Sequence, residues 1–237
     1  MANDELIAQL GAALQEADLL YHPFYQAWSA GVLTPRDLQA YAIQYYPQVA
    51  AFPVHLSTLH SQLPDGEMRR AVLRNLCDEE ITGPCHSELW LDFAVGLGAK
   101  RDEVRNAPAI SCVQRLIDTL RGMMLSPVTA FAALYACESQ VPRVAKEKAH
   151  GLRRFYRADN KTCRYFDLHE RADVLHTRVW LEQLARLIEP QPHTQDVAIT
   201  TARIVGRVLW QTLDGIEGLR EERMRSLGRS DQQHWRN

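Results

Sequence analysis

This sequence of 237 residues lacks an excess of charge, since it has 27 basic and 29 acidic residues and a net charge of −2. Nucleic acids and anionic membrane surfaces attract basic proteins, so we expect no nucleic-acid partner and no membrane partner. Long apolar runs are missing as well. The run VTAFAALYAC at residues 128–137 is far shorter than the ~20 residues that a membrane-spanning helix needs.

Cysteines are few, and their spacing suggests no pairing. The chain has five of them, and an odd number suits a reducing compartment better than a disulfide framework. The opening residues MANDELIAQL are acidic where an export signal is basic. We therefore expect a cytoplasmic protein.

Strand signals are nearly absent, because the sequence has no Asn-Gly turn and no sustained alternation of apolar and polar residues. Helix starts are common instead. Thr34-Pro35 and Ser126-Pro127 each offer an N-cap residue followed by proline at the first helical position. No repeat and no Gly/Ser linker marks a domain boundary. The sequence predicts an all-α, up-and-down bundle of about seven helices that forms one domain over residues 1–237.

Turn sequences separate the predicted helices, and several prolines fall between or inside them. LPDGE at 63–67, RADNKT at 157–162 and IEPQPHTQD at 188–196 are typical of turns and helix ends. We expect helices to be kinked or interrupted at prolines 47, 53, 84 and 142.

The string HERADVLH, residues 169–176, places three polar side chains on one face of a predicted helix. His169, Asp173 and His176 stand at relative positions i, i+4 and i+7, which fall within about 60° of arc at 3.6 residues per turn. In most helices of a bundle, the face that points into the core carries apolar residues. Such a row is typical of a metal site.

A second polar pair lies in CDEEITGPCHSELW, residues 77–90. Glu79 and His86 are seven apart, which is two turns of an ideal helix, whereas Glu80 would diverge from His86 by about 120°. Glu79 is therefore the better candidate ligand. Gly83-Pro84 lies between the two residues and can kink the helix there. The acidic run DEE by itself is typical of a solvated surface.

A third candidate is Glu138, which directly follows the apolar run AFAALYAC. A carboxylate at such a position is costly to bury unless it is paired or bound to a metal. Arg143 and Lys146 are its alternative partners in the sequence.

These three segments together supply the donors of a dinuclear metal site. Carboxylates and imidazoles suit iron or manganese, and the ligand type does not distinguish Fe/Fe from Mn/Fe. The Glu-x-x-His repeats of ferritin-like di-iron proteins are missing at these positions. The predicted ligands are Glu79, His86, Glu138, His169, Asp173 and His176.

Three strings carry a resemblance to a known family: NLCDEEITGPCHSELW, YACESQVPRVAKEK and YFDLHERADVLH. They resemble the family of the Chlamydia protein associating with death domains. This family is one of the haem-oxygenase-like di-metal oxidases and is distantly similar to pyrroloquinoline-quinone synthase. The resemblance extends from Tyr21 to the last helix. It implies a seven-helix haem-oxygenase-like bundle without haem, with the six residues above as ligands.

The resemblance also implies a reaction. Members of the family make 4-aminobenzoate, a precursor of folate, from one of their own tyrosines, using dioxygen and an external reductant. Tyr25 in HPFYQAW matches the consumed tyrosine, and Lys148 in AKEK matches the lysine that supplies nitrogen. The protein is then consumed in a single turnover. Lys146 lies two residues away, and the spacing alone does not choose between the two lysines.

Two further tyrosines match aromatic positions near the family's site, namely Tyr41 and Tyr165. Tyr165 precedes His169 by four residues, which places it on the metal-facing side of that helix. Cys137 departs from the family, because some members have another tyrosine there. A radical path in this chain would then use Tyr41 or Tyr165.

Other interpretations stay open at this stage. A di-metal oxygenase or oxidase could act on an external small molecule and leave Tyr25 intact, and Tyr25 could simply pack as an amphipathic side chain. A metal-free relative of pyrroloquinoline-quinone synthase or thiaminase would use Cys137 and Glu138. An interaction protein without enzymatic activity is the third alternative. The oligomeric state is also open, and a homodimer is common for a protein of this size.

Overall fold

The structure, a computed structural model, describes residues 2–234, with side chains described for residues 4–226. Eleven α-helices and two 3-10 helices, Leu19–Tyr21 and Pro192–Thr194, make up the regular structure of this part of the chain. The all-α prediction is confirmed. The α-helices are α1 (Ala2–Gln15), α2 (Pro23–Ser29), α3 (Pro35–Gln62), α4 (Glu67–Glu80), α5 (His86–Gly96), α6 (Arg101–Arg105), α7 (Ser111–Met123), α8 (Pro127–Glu138), α9 (Val141–Tyr156), α10 (Asn160–Ile188) and α11 (Gln195–His234).

The described helices outnumber the seven or so expected because some are short and others are divided by breaks. Helices α2 and α6 have only seven and five residues. Gly83, with a φ of 92°, and Pro84 separate α4 from α5. Arg157 adopts a left-handed conformation with a φ of 54° and ends α9. Each break allows the next helix to run in a new direction. Glycine and residues in the left-handed conformation commonly end helices in this way.

Helix α3 begins with the capping pattern that the sequence predicts. The Oγ1 atom of Thr34 accepts a hydrogen bond from the backbone N–H of Asp37 at 3.2 Å, and Oδ2 of Asp37 accepts one from the backbone N–H of Thr34 at 2.7 Å. This reciprocal pair satisfies two donors that the first helical turn otherwise leaves free. The helix then continues through Pro47 and Pro53.

Helix α10 lies at the centre of the packing. It contacts α5, α8 and α9, while α11 packs against α1, α7 and α8, and α3 packs against α4, α5 and α7. Buried apolar side chains from Leu6 to Ile216 form one cluster between these helices. The single domain expected over residues 1–237 stays a prediction. Among the helices described, none is both long enough and apolar enough to cross a lipid bilayer.

Replacing Thr34 with alanine removes one half of the reciprocal cap, and we expect a loss of about 1 kcal/mol in the free energy of unfolding. Ser126→Ala is the matched control, because the Ser126 side chain makes no capping hydrogen bond at the start of α8. Urea unfolding of both variants measures the difference. Equal losses in the two variants would contradict the capping role of Thr34.

Candidate metal centre

The six candidate ligands form two buried groups. In each group the potential ligand atoms lie within 4.8 Å of one another. We call them the His86 group and the His176 group. The His86 group consists of Glu79, His86 and His169, and the His176 group consists of Glu138, Asp173 and His176.

Glu79 and His86 lie on different helices, although their spacing suggested one helical face. Glu79 belongs to the last turn of α4 and His86 begins α5. The break at Gly83-Pro84 brings Nδ1 of His86 within 2.9 Å of Oε2 of Glu79. Glu80 is exposed, so the choice of Glu79 agrees with the geometry of this pair.

Helix α10 contributes the row that the sequence predicts. His169, Asp173 and His176 are all buried on the inward face of this helix. The Nδ1 atom of His169 lies 2.7 Å from the backbone oxygen of Tyr165. When Nδ1–H donates to that oxygen, Nε2 is left free to bind a metal ion, which is a common way of orienting histidine ligands.

Several buried ligand atoms of the two groups form no hydrogen bond. Oε1 of Glu138 is one of them, and Nδ1 of His86 and Nδ1 of His176 are the others, although carboxylate oxygens lie 2.9 Å and 3.4 Å from these two nitrogens. Buried polar atoms are rarely left unpaired, because doing so costs free energy. Mixed nitrogen and oxygen donors of this kind fit first-row transition metals. The residues present therefore fit two metal ions.

The electrostatics of the His176 group favour a bound cation. Burial and the neighbouring charge of Asp173 raise the pKa of Glu138 well above its ordinary value. Burial opposes protonation of His176, but the adjacent carboxylates of Asp173 and Glu138 outweigh it and raise the pKa of His176 to about 9. A bound cation would relieve the repulsion among these carboxylates.

Glu138 is held by an indole rather than by a basic side chain. Its Oε2 atom accepts a hydrogen bond from Nε1 of Trp180 at 2.7 Å. Arg143 instead pairs with Asp18 at 3.1 Å, and Lys146 is exposed. The structure thus shows neither of the ion pairs that the sequence offered as alternatives for Glu138.

One cavity of about 100 Å³ borders both ligand groups. Apolar side chains and the polar tips of Tyr45, Gln48 and Cys137 line it beside four of the ligands. The Oε1 atom of Gln48 is buried without a hydrogen-bond partner. A small molecule could therefore enter next to both candidate metal positions.

Tyr25, Tyr41 and Lys148 form a second buried cluster. The Nζ atom of Lys148 donates to the phenol oxygens of Tyr25 at 2.8 Å and Tyr41 at 2.6 Å. The two phenol oxygens lie 3.3 Å apart. Nζ also lies 4.2 Å from the centre of the Tyr25 ring. The structure thus places Lys148, and not the exposed Lys146, against Tyr25.

Burial disfavours the charged form of all three members of this cluster. Burial raises the pKa of Tyr25 and of Tyr41 well above the ordinary value of 10.0. Burial also lowers the pKa of Lys148 well below its ordinary value of 10.5. A neutral amine retains its lone pair, so Lys148 can act as a base or a nucleophile.

Trp28 and Gly151 position Lys148, and neither was a candidate from the sequence. Nε1 of Trp28 donates to the backbone oxygen of Lys148 at 3.3 Å. A Cβ atom on Gly151 would lie 2.9 Å from Cδ1 of Trp28, so only glycine allows α9 to approach Trp28 this closely. Trp28 does stand in the same string as Tyr25, HPFYQAW, but nothing local relates it to Lys148.

Tyr165 lies beside the His86 group, on the side that its spacing from His169 predicts. Its ring stacks on that of His169, with 4.0 Å between centroids and 27° between planes. Trp180 was missed as a residue of the site. It follows His176 by four residues on α10, and this spacing was the available signal.

Fold and ligand groups together define a helical protein with a candidate dinuclear metal centre. Residues 39–207 match the family described as "Iron-containing redox enzyme", a haem-oxygenase-like family. The chain belongs to this family and is an oxidoreductase.

Relatives of known name agree with this membership. The chain is 35% identical over 209 residues to the "4-aminobenzoate synthase" of Chlamydia pneumoniae, covering 87% of this chain and 92% of that protein. It is 30% identical over 224 residues to the "Pyrroloquinoline-quinone synthase" of Acidiphilium cryptum, covering 91% and 89%. A crystal structure with a haem-oxygenase-like fold from Shewanella denitrificans is similar in fold, with a TM-score of 0.78, 15% identity and coverage of 92% and 93%.

Gly151→Ala should destabilise the protein, although alanine normally favours a helix. The new methyl group would collide with Trp28, and overpacking of this kind costs about 1–3 kcal/mol. Gly11→Ala is the matched control, because no atom lies within 4 Å of its added Cβ. The Gly11→Ala variant should gain roughly 0.5–1 kcal/mol in the free energy of unfolding, because alanine favours a helix more than glycine does. Thermal unfolding compares the two variants, and stabilisation by both would contradict the close packing of α9 on Trp28.

Burial of Lys148 predicts a pH-dependent stability. Between the lowered pKa of Lys148 in the folded protein and its ordinary value of 10.5, the unfolded chain binds a proton on Lys148 that the folded chain does not. The stability of the metal-free protein should therefore rise with pH towards that value, by at most about 1.4 kcal/mol per pH unit.

Lys148→Met removes this pH-dependent contribution to the free energy of unfolding. Any gain in stability of the variant over the natural chain should therefore shrink as the pH rises. Lys146→Met, at an exposed position, should show no such trend. Urea unfolding over this pH range measures both variants. A stability difference for Lys148→Met that does not change with pH would show that Lys148 is charged in the folded protein.

Proposed function

We propose that this protein is an oxygen-dependent dinuclear metalloenzyme that makes 4-aminobenzoate from its own Tyr25, with nitrogen from Lys148. The observation that carries the proposal is the 2.8 Å approach of the Lys148 amine to the Tyr25 phenol in the interior of the protein. The name of the Chlamydia pneumoniae relative, "4-aminobenzoate synthase", supports the same product.

The His86 group and the His176 group would hold two metal ions, either Fe/Fe or Mn/Fe. Their nitrogen and oxygen donors accept both metals. Once bound, the ions would supply activation of dioxygen, which is the oxidant, while an external reductant would supply the electrons that this activation needs. We propose no haem at this centre.

Residues around Tyr25 prepare this side chain for reaction. Tyr41 and Lys148 hold the phenol oxygen in place, and Trp28 orients Lys148 through its backbone oxygen. Burial keeps water away, and it keeps the Lys148 amine neutral. A neutral amine 2.8 Å from the phenol oxygen can take the phenol proton and can later form a bond to carbon.

The cavity beside the two ligand groups supports a second candidate function. Its apolar walls and its position against Glu79 and Glu138 suit oxidation of a small molecule that enters from outside. In that case Tyr25 and Lys148 stay unchanged during turnover. The fate of Tyr25 therefore distinguishes the two functions.

The test uses metal-free protein loaded anaerobically with Fe(II), with or without Mn(II), and then given oxygen and a reductant but no organic substrate. Mass spectrometry measures 4-aminobenzoate and the peptide that contains Tyr25. We expect at most one product molecule per chain and loss of mass at Tyr25. Tyr25→Phe should give no product, whereas Tyr21→Phe should react normally, since Tyr21 is 74% exposed.

Absence of product with two bound metals and an intact Tyr25 would overturn the proposal in favour of an external substrate. Failure to bind metal would favour a metal-free relative that uses Cys137 and Glu138. Product formation by Tyr25→Phe would show that another carbon source is used.

A further inference from the structure

A row of aromatic rings connects the His86 group to Tyr25. His169 stacks on Tyr165 at 4.0 Å between centroids, and Tyr165 meets Trp90 edge to face at 4.9 Å. Trp90 lies 5.7 Å from Tyr41. The phenol oxygen of Tyr41 in turn lies 3.3 Å from the phenol oxygen of Tyr25. Each ring in this row touches the next.

Trp90 occupies the middle of the row and is held firmly. It is buried, and its Nε1–H donates to the backbone oxygen of Ala42 at 2.8 Å. Within the part of the chain that the structure describes, it is the one oxidisable ring in contact with both Tyr165 and Tyr41. A second connection passes through Phe166 and Trp28, and a phenylalanine ring is much harder to oxidise than an indole or a phenol. Tyr45 stacks on Tyr41 and lines the cavity with Tyr165, but its ring contacts are with Tyr41 and Trp90.

We propose that Trp90 relays single electrons from the Tyr25–Tyr41 pair towards the metal centre. The inference rests on the proposed function, which supplies the electron acceptor, namely the metal centre after its oxidation by dioxygen. Trp90 passes one electron through Tyr165 to this acceptor and regains one from the phenol pair. It returns unchanged at the end of each transfer.

Protons and electrons take separate paths in this transfer. The O–H bond of Tyr25 breaks, its proton forms a new N–H bond on the neutral Nζ of Lys148, and its electron leaves through Tyr41 and Trp90. Trp90 keeps its own proton, because the Ala42 carbonyl that it contacts is a weak base. Transfer at Trp90 therefore involves an electron alone, while Lys148 takes the proton of Tyr25. An oxidised Tyr165 releases its phenol proton to solvent in the cavity that it lines and regains a proton when Trp90 reduces it.

Two substitutions at one position separate a redox role from a packing role. Trp90→Phe and Trp90→Tyr both remove the indole and its hydrogen bond to Ala42, but only tyrosine can be oxidised. Trp210→Phe is the control, because Trp210 contacts His22 and lies outside the row. Metal content and urea unfolding are measured for each variant to establish that it folds and loads normally.

The readout is the tyrosyl radical, observed by electron paramagnetic resonance in samples freeze-quenched after oxygen is admitted and labelled with ring-deuterated tyrosine. In Trp90→Phe we expect a radical that is confined to Tyr165, so that it disappears when Tyr165→Phe is added. Release of 4-aminobenzoate should be lost in Trp90→Phe and regained in Trp90→Tyr. Trp210→Phe should behave as the natural chain.

Equal losses in Trp90→Phe and Trp90→Tyr with full metal content would overturn the relay and leave Trp90 as a packing residue. Undiminished product from Trp90→Phe would overturn it as well. Failure of the proposed function looks different, because the natural chain then forms no 4-aminobenzoate and keeps Tyr25 intact. The radical measurement still tests the relay in that case, since Trp90→Phe either changes the radical's position or leaves it unchanged.

Discussion

Three buried carboxylates set the constraint on which the rest of this structure depends. Glu79, Glu138 and Asp173 lie inside a helical bundle, where loss of water and mutual repulsion oppose their charge. The imidazoles beside them leave donor atoms unpaired. Two metal cations would satisfy both the charge and the donors. Glu79 lies on α4, Glu138 on α8 and Asp173 on α10. The packing of α4 and α8 against α10 therefore also brings the candidate ligands together.

The cluster around Lys148 is the neutral counterpart of this charged centre. In the described structure no salt bridge joins a carboxylate to the amine, and burial lowers its pKa well below the ordinary value. Its partners Tyr25 and Tyr41 are held neutral in the same way. A charged centre suited to metals and a neutral cluster suited to nitrogen chemistry thus lie apart, joined by aromatic rings. This separation protects the amine from protonation and from direct contact with the metal ligands.

The local parts of this arrangement could be predicted from the sequence. Thr34 caps α3 and the polar row of α10 faces inward, because capping and helical periodicity depend on residues a few positions apart. The pairing of Glu79 with His86 shows the limit of that reasoning. Their spacing suggested one continuous helix, whereas they meet across the break that Gly83 and Pro84 create. The structure brings the two residues together, but by a different geometry from the one that their spacing suggested.

The sequence by itself determined the helical class, the main helix starts and the types of the six candidate ligands. Tyr25 and Lys148 became candidates through the family resemblance and not through any pattern of their own. Only the tertiary structure placed Lys148, and not Lys146, against Tyr25 and brought Trp28, Trp90 and Trp180 to the candidate site. Lys148 and Tyr25 are 123 positions apart. The burial and charge of such a pair depend on neighbours from distant helices, and local periodicity contains no information about them.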